Sequence, residues 1–201
     1  MKRIVELATQ VAEGLAKAHA AGIVRRDLKP ENVMVSDDGF VKIIDFGLAT
    51  LAAETAEASP SLAVGRTRTA TGVADTVGYM SPEQASGHAV DHRADQFALG
   101  VMLYEMATPI RPFERATTAH SLVATLEVDP TPVEAVNRQV PPPLATIVRR
   151  CLAKSPHGRY ESTRDLARDL RQLGDPPQAC SPRGRAASAG GLPSRGRLPL
   201  R

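Results

Sequence analysis

Cysteine is scarce in this chain of 201 residues, and that scarcity narrows its class. Cys151 and Cys180 are too few for a disulfide framework and sit at no zinc-binding spacing, so the expected setting is a reducing cytoplasm. Long apolar runs are also missing. No uncharged stretch approaches the ~18 residues of a membrane-spanning helix. After "MKR", the segment "IVELATQVAEG" is interrupted by Glu6, Gln10 and Glu13, so it lacks the apolar core of a signal peptide. A strong charge of one sign is absent from the part able to fold. The formal charge is +3, but residues 174–201 hold five arginines against Asp175, which leaves twenty basic and twenty-one acidic residues in 1–173. The basic balance belongs to the tail, which reads as a solvated end, with no specific nucleic-acid partner expected.

What is present suffices for a core: 42% of the residues are hydrophobic. Ile4, Leu7, Ala8, Val11, Leu15 and Ala18 recur at helical spacing, predicting an amphipathic helix over 3–21 that Gly22 ends. Two β-like runs, 33–35 and 40–44, flank the turn "SDDG" and predict a hairpin. Residues 50–75, rich in Ala, Thr, Ser and Gly, read as a long mobile loop. The stretch 94–107 is apolar on nearly every side and predicts a helix buried within a helical body. Further helices are expected over 117–126, 143–154 and 162–173, the last capped by Ser162 or Thr163, with a Pro-rich connection over 127–143. The Gly/Pro/Arg-rich remainder, 174–201, cannot bury enough apolar surface to order itself.

The chemistry-bearing residues cluster in "VRRDLKPEN". Asp27, Lys29 and Asn32 lie within six positions, between the apolar Ile23-Val24 and the first strand of the hairpin. Closing the hairpin brings Asp45 to the same mouth. Taken with "DFG" (45–47), "TVGYMSPEQ" (76–84), "DHRADQFALGVMLYEM" (91–106) and "CLAKSPHGRY" (151–160), the chain resembles the C-terminal lobe of a bacterial eukaryotic-type serine/threonine protein kinase. The implied fold class is α+β, mainly helical, with a short hairpin at the active site. Residues 1–173 would form this partial kinase domain, and 174–201 a disordered tail.

The resemblance implies transfer of the ATP γ-phosphate to Ser or Thr hydroxyls of proteins, with ATP and Mg²⁺ as cofactors. Asp27 would accept the hydroxyl proton, Lys29 would steady the γ-phosphate, and Asn32 and Asp45 would hold Mg²⁺, a hard ion suited to oxygen ligands. Arg26 is similar to the arginine that pairs with a phosphorylated activation loop, for which Thr67, Thr69 and Thr71 are the candidate phosphosites. Thr76 resembles the threonine that contacts the catalytic acid. Phe46 and Gly47 complete the metal-binding motif, Glu83 and Arg159 resemble a buried ion pair, and Asp95 would hold the catalytic loop from beneath.

Three departures qualify that picture. Position 25 is Arg where the family's H-R-D has His, so a guanidinium there must find a partner or turn outward. Asp75 stands where Gly precedes the threonine. These residues also contain no Gly-rich loop, no V-A-I-K-type lysine and no partner glutamate, which makes a fragment of a longer kinase the leading expectation. A missing or separate N-terminal lobe would then be a partner. The alternative is a noncatalytic pseudokinase or protein-interaction module.

Overall fold

The computed structural model describes residues 1–44, 50–51 and 77–174. The first helix, α1 (Lys2–Ala20), buries Val5, Ala8, Val11, Ala12 and Leu15 along one stripe, as its periodicity predicts. It ends where Gly22, at φ +75°, takes the left-handed conformation that closes a helix most cheaply, its N–H donating to the His19 carbonyl. The strand β1 (Ile23–Val24) follows, then a 3₁₀ turn at Pro30–Asn32, and the hairpin of β2 (Val33–Val35) and β3 (Val41–Ile43). The hairpin is antiparallel, with Val33 opposite Ile43 and Val35 opposite Val41. Met34, Val35 and Phe40 of this hairpin are exposed.

The expected loop over 50–75 begins differently from its composition. Thr50–Leu51 forms β4 and pairs antiparallel with β1, Ile23 opposite Leu51. Composition does not show this, because a two-residue bridge has no period of its own. The rest of that loop lies outside the described residues, as does the tail from residue 175 onward.

Helical elements make up the remainder. They are α2 (Pro82–Ala85), α3 (Arg93–Ala107), α4 (Thr118–Glu127), α5 (Val133–Val136), α6 (Pro142–Cys151) and α7 (Thr163–Gly174). The single turn α5 lies within the segment read as a Pro-rich connection. Pro132 precedes it as the N-cap, so the proline starts the turn rather than breaking it. Ser162 caps α7, its hydroxyl accepting from the Arg164 N–H at 3.1 Å. The helix runs one residue past the expected boundary, to Gly174.

The core forms around α3, which is buried on nearly all sides, Phe97, Leu99, Val101 and Leu103 being fully enclosed. The most extensive helix-to-helix packing is α1 against α7, which contributes Leu166, Ala167 and Leu170 to the same cluster. Glu13 and Arg171 form an ion pair at the rim of that seam. Among the described residues, no helix is long and apolar enough to cross a membrane.

Helices α3 and α6 cross at Gly100. A Cβ there would lie 2.6 Å from the Cβ of Cys151 and 3.2 Å from Leu152 Cδ2. Both neighbours are fixed within the core, so neither can swing away. Gly100→Ala is expected to lower unfolding stability by about 1–3 kcal/mol despite the better helix propensity of alanine, measured by urea denaturation.

Lys154 closes the end of α4. Its ammonium donates to the Thr125 carbonyl at 2.7 Å and the Ala124 carbonyl at 3.2 Å, and lies 3.9 Å from the centre of the Phe113 ring. Burial lowers its pKa from 10.5 to about 8. Below pH 8 the folded and unfolded chains both hold this proton. Above it the folded chain sheds the proton first, so stability rises with pH. The Cys151 thiol, pushed up from 9.0 to about 12 by burial, acts in the opposite sense above pH 9. Folding stability is therefore expected to rise between pH 8 and pH 9, and that rise should vanish in Lys154→Met.

Candidate active site

The loop from residue 25 to residue 29 is shaped at both ends by local chemistry. Pro30 opens the 3₁₀ turn, and Lys29 before it is extended, as a residue preceding proline prefers. Arg26 adopts φ +65°, a left-handed conformation that costs a non-glycine residue about 1–2 kcal/mol and requires support.

Much of that support comes from Asp95 in the first turn of α3, where the helix N-terminus favours an anion. Its carboxylate is 1% exposed and receives three donors. The Arg26 N–H reaches Oδ1 at 2.8 Å, the Arg25 N–H reaches Oδ2 at 2.9 Å, and His19 Nε2 reaches Oδ2 at 2.8 Å. His19 Nδ1 lies 2.9 Å from the Thr163 hydroxyl, which accepts from Gln96 Nε2 at 3.0 Å. One line of hydrogen bonds thus runs from the start of α7, through the end of α1, to the backbone of the loop.

At the far side of the loop, Asn32 Nδ2 donates to the Asp27 carbonyl at 2.9 Å and to Asp27 Oδ2 at 3.3 Å. Lys29 Nζ lies 3.7 Å from Asp27 Oδ1. The structure therefore brings together Asp27, Lys29 and Asn32 at one carboxylate. The hairpin returns to the same point, because the Ile44 N–H donates to the Asn32 carbonyl at 2.9 Å, one residue before Asp45. Gln10 of α1 secures the other end of the hairpin. Its amide donates to the Gly39 carbonyl at 3.1 Å and accepts from the Val41 N–H at 2.9 Å.

Arg25 does not turn outward. Its side chain is buried, 2% exposed. The Arg26 Nε is likewise buried, with no hydrogen-bond partner among the described residues. Asp45, Phe46, Gly47, Thr67, Thr69, Thr71, Asp75 and Thr76 lie outside the described residues.

Beyond that segment the chain re-enters at Val77 and reaches α2. Ser81 and Gln84 form a capping box around it, with Pro82 at the first helical position. Glu83 is buried and meets Arg159 bidentately, at 2.6 and 2.8 Å. Arg159 also donates to the Arg93, Ala153 and Lys154 carbonyls and lies 4.9 Å from the Phe97 ring centre, so every face of its guanidinium is used. Tyr79 donates to Glu105, whose other oxygen takes Arg111 Nε at 2.8 Å. Burial first, then the Glu105 carboxylate, pushes the Tyr79 hydroxyl pKa up.

Comparison with known proteins decides the family. The protein kinase domain family matches residues 1–170. The chain belongs to that family. Among curated relatives, this kinase chain is 35% identical over 168 residues to a probable serine/threonine-protein kinase of Clostridium acetobutylicum, a match covering 84% of this chain and 24% of that one. It is 36% identical over 177 residues to the serine/threonine-protein kinase pkn3 of Myxococcus xanthus, covering 85% and 31%. To the serine/threonine-protein kinase PknB of Mycobacterium tuberculosis it is 35% identical over 180 residues, covering 89% and 28%. The kinase chain spans less than a third of the length of each of these relatives.

Reading the sequence alone missed His19, Gln96, Thr163, Gln10 and Gln84. Only Gln84 carried a local signal, as the fourth residue of an S-x-x-Q capping box. The others act across 29 to 144 positions, where periodicity is silent.

Glu83→Gln would leave the Arg159 charge buried beside a neutral amide. The expected loss is about 3–5 kcal/mol of unfolding stability at unchanged denaturant slope, read from a urea curve.

Proposed function

We propose that this chain carries the catalytic half of a serine/threonine protein kinase, moving the γ-phosphoryl group of ATP to protein hydroxyls. The observation that supports it most is the convergence of Asn32 and Lys29 on the Asp27 carboxylate, on a loop whose backbone is held by a buried aspartate. Phosphoryl transfer asks the protein for positioning and charge neutralisation more than for covalent chemistry, and a rigid loop of this composition supplies both.

In this reading Asp27 orients the acceptor hydroxyl and takes its proton as the oxygen attacks. Lys29, 5% exposed, steadies the phosphate charge from within the loop. The donor set fits a hard cation. Asn32 commits its Nδ2 to Asp27, which directs the amide oxygen elsewhere as an oxygen ligand, and Asp45 follows the hairpin that Asn32 opens. Mg²⁺ bound there would neutralise charge on the nucleotide phosphates. Arg26, with a buried Nε, would receive a phosphate placed on Thr67, Thr69 or Thr71, and Thr76 would sit against Asp27. The Gly-rich loop and lysine that complete an ATP clamp in this family would come from a separate segment or partner lobe.

One observation favours a noncatalytic reading, in which the lobe docks proteins. Arg25, where the family's motif has histidine, is buried at 2% exposure, so a cation stands in the place of an imidazole beside the proposed catalytic acid.

The deciding experiment is Mg²⁺-dependent transfer of labelled γ-phosphate from ATP to a Ser/Thr protein acceptor, beside Asp27→Asn. Transfer that falls by about 10²-fold or more in the variant is the expected result. Equal transfer by both would remove Asp27 from its assigned role. No transfer by either would point to a fragment that needs its partner lobe or to the docking module.

A further inference from the structure

We infer that Gln84 is a positioning residue for the catalytic loop, tying α2 to the Arg26–Asp27 peptide and so setting the direction in which Asp27 presents its carboxylate. The inference rests on the reading of Asp27 given above. It starts from one contact across 58 positions: Gln84 Nε2 donates to the Arg26 carbonyl at 2.6 Å.

The orientation of this amide is not a free choice. The Ser81 N–H, 3.0 Å from Gln84 Oε1, can only donate, and the Arg26 carbonyl can only accept. Each end of the amide therefore has one chemical identity that fits. A glutamate would serve the capping box as well as glutamine does, since either suits that position. Only the amide can cap α2 and hold Arg26 together.

The tethered peptide is the strained one. Arg26 sits at φ +65°, with its N–H held by Asp95 and its carbonyl by Gln84. The carbonyl belongs to the peptide bond that leads into Asp27, so releasing it frees that peptide to rotate toward an unstrained conformation and carry Asp27 with it. The two anchors are themselves joined. Arg159 pairs with Glu83, the neighbour of Gln84, and donates to the Arg93 carbonyl, two residues from Asp95. The ring from Gln84 through Glu83, Arg159, α3, Asp95 and Arg26 closes on itself, so a shift of α2 is delivered to Asp27 rather than absorbed.

Gln84→Glu tests this, because it keeps the size and the cap while placing a carboxylate oxygen against the Arg26 carbonyl. Two readouts are independent of catalysis: the carbon resonance of the Arg26 carbonyl, and amide hydrogen exchange at Arg26 and Asp27. The variant is expected to shift that resonance and to speed exchange at both amides about tenfold or more, while amides in the middle of α3 stay as they were. Ser81→Ala, which weakens the cap but keeps the Gln84 amide, should leave exchange at both amides as it is in the unaltered chain. In the phosphotransfer assay Gln84→Glu should lower kcat about tenfold or more with KM for ATP and acceptor within about twofold, as a misdirected group does.

An unchanged resonance and unchanged exchange in Gln84→Glu would overturn the tether. Faster exchange with unchanged kcat would overturn its role in positioning Asp27. Failure of the unaltered chain to transfer phosphate would count against phosphotransfer by this chain on its own, and the resonance and exchange would still decide whether Gln84 holds the loop.

Discussion

A carboxylate buried to 1% exposure must be met by donors, and Asp95 draws them from three directions. Two are backbone N–H groups of the loop that carries Asp27, and the third is His19 at the end of α1. Position matters as much as count. Asp95 stands in the first turn of a helix enclosed on nearly all sides, so it cannot move to find other partners. The loop is therefore referenced to the most rigid element of the fold, and the left-handed conformation of Arg26 persists because its surroundings determine it.

The same reliance on α3 explains the packing. A helix with little amphipathicity has no preferred outer face, and its neighbours cover it instead: α6 comes close enough at Gly100 to exclude a Cβ, and the α1–α7 pair completes the enclosure. Around it, buried charges are handled by full partnership. Arg159 spends its donors on Glu83 and three carbonyls, which is the condition under which a buried ion pair holds two elements in register. Lys154 uses its ammonium to close the end of α4 and accepts a lowered pKa in return.

The loop that carries Asp27 stands between these two systems. Asp95 fixes its backbone from α3, and Gln84 meets it from α2. Asn32 and Lys29 act within the loop, on the Asp27 carboxylate itself. Long-range contacts thus set where the loop lies, and short-range contacts set what its carboxylate faces.

Much of this was legible in the order of residues. Helical spacing marks α1, α3, α6 and α7 because each buries a stripe or a whole surface in the same core, and a period of 3.6 records that burial. The hairpin is readable from "SDDG", and the grouping of Asp27, Lys29 and Asn32 from their closeness in the chain. Short elements escaped: β4 has two residues and α5 one turn, too few for periodicity to register. The sequence by itself determined the family motifs, the helical character and the local chemistry of the loop, since these depend on neighbours within a few positions. Only the tertiary structure decided that Arg25 is buried, that His19 and Thr163 join Asp95, and that Gln84 grips Arg26, because those contacts bridge 58 to 144 positions and depend on how helices cross.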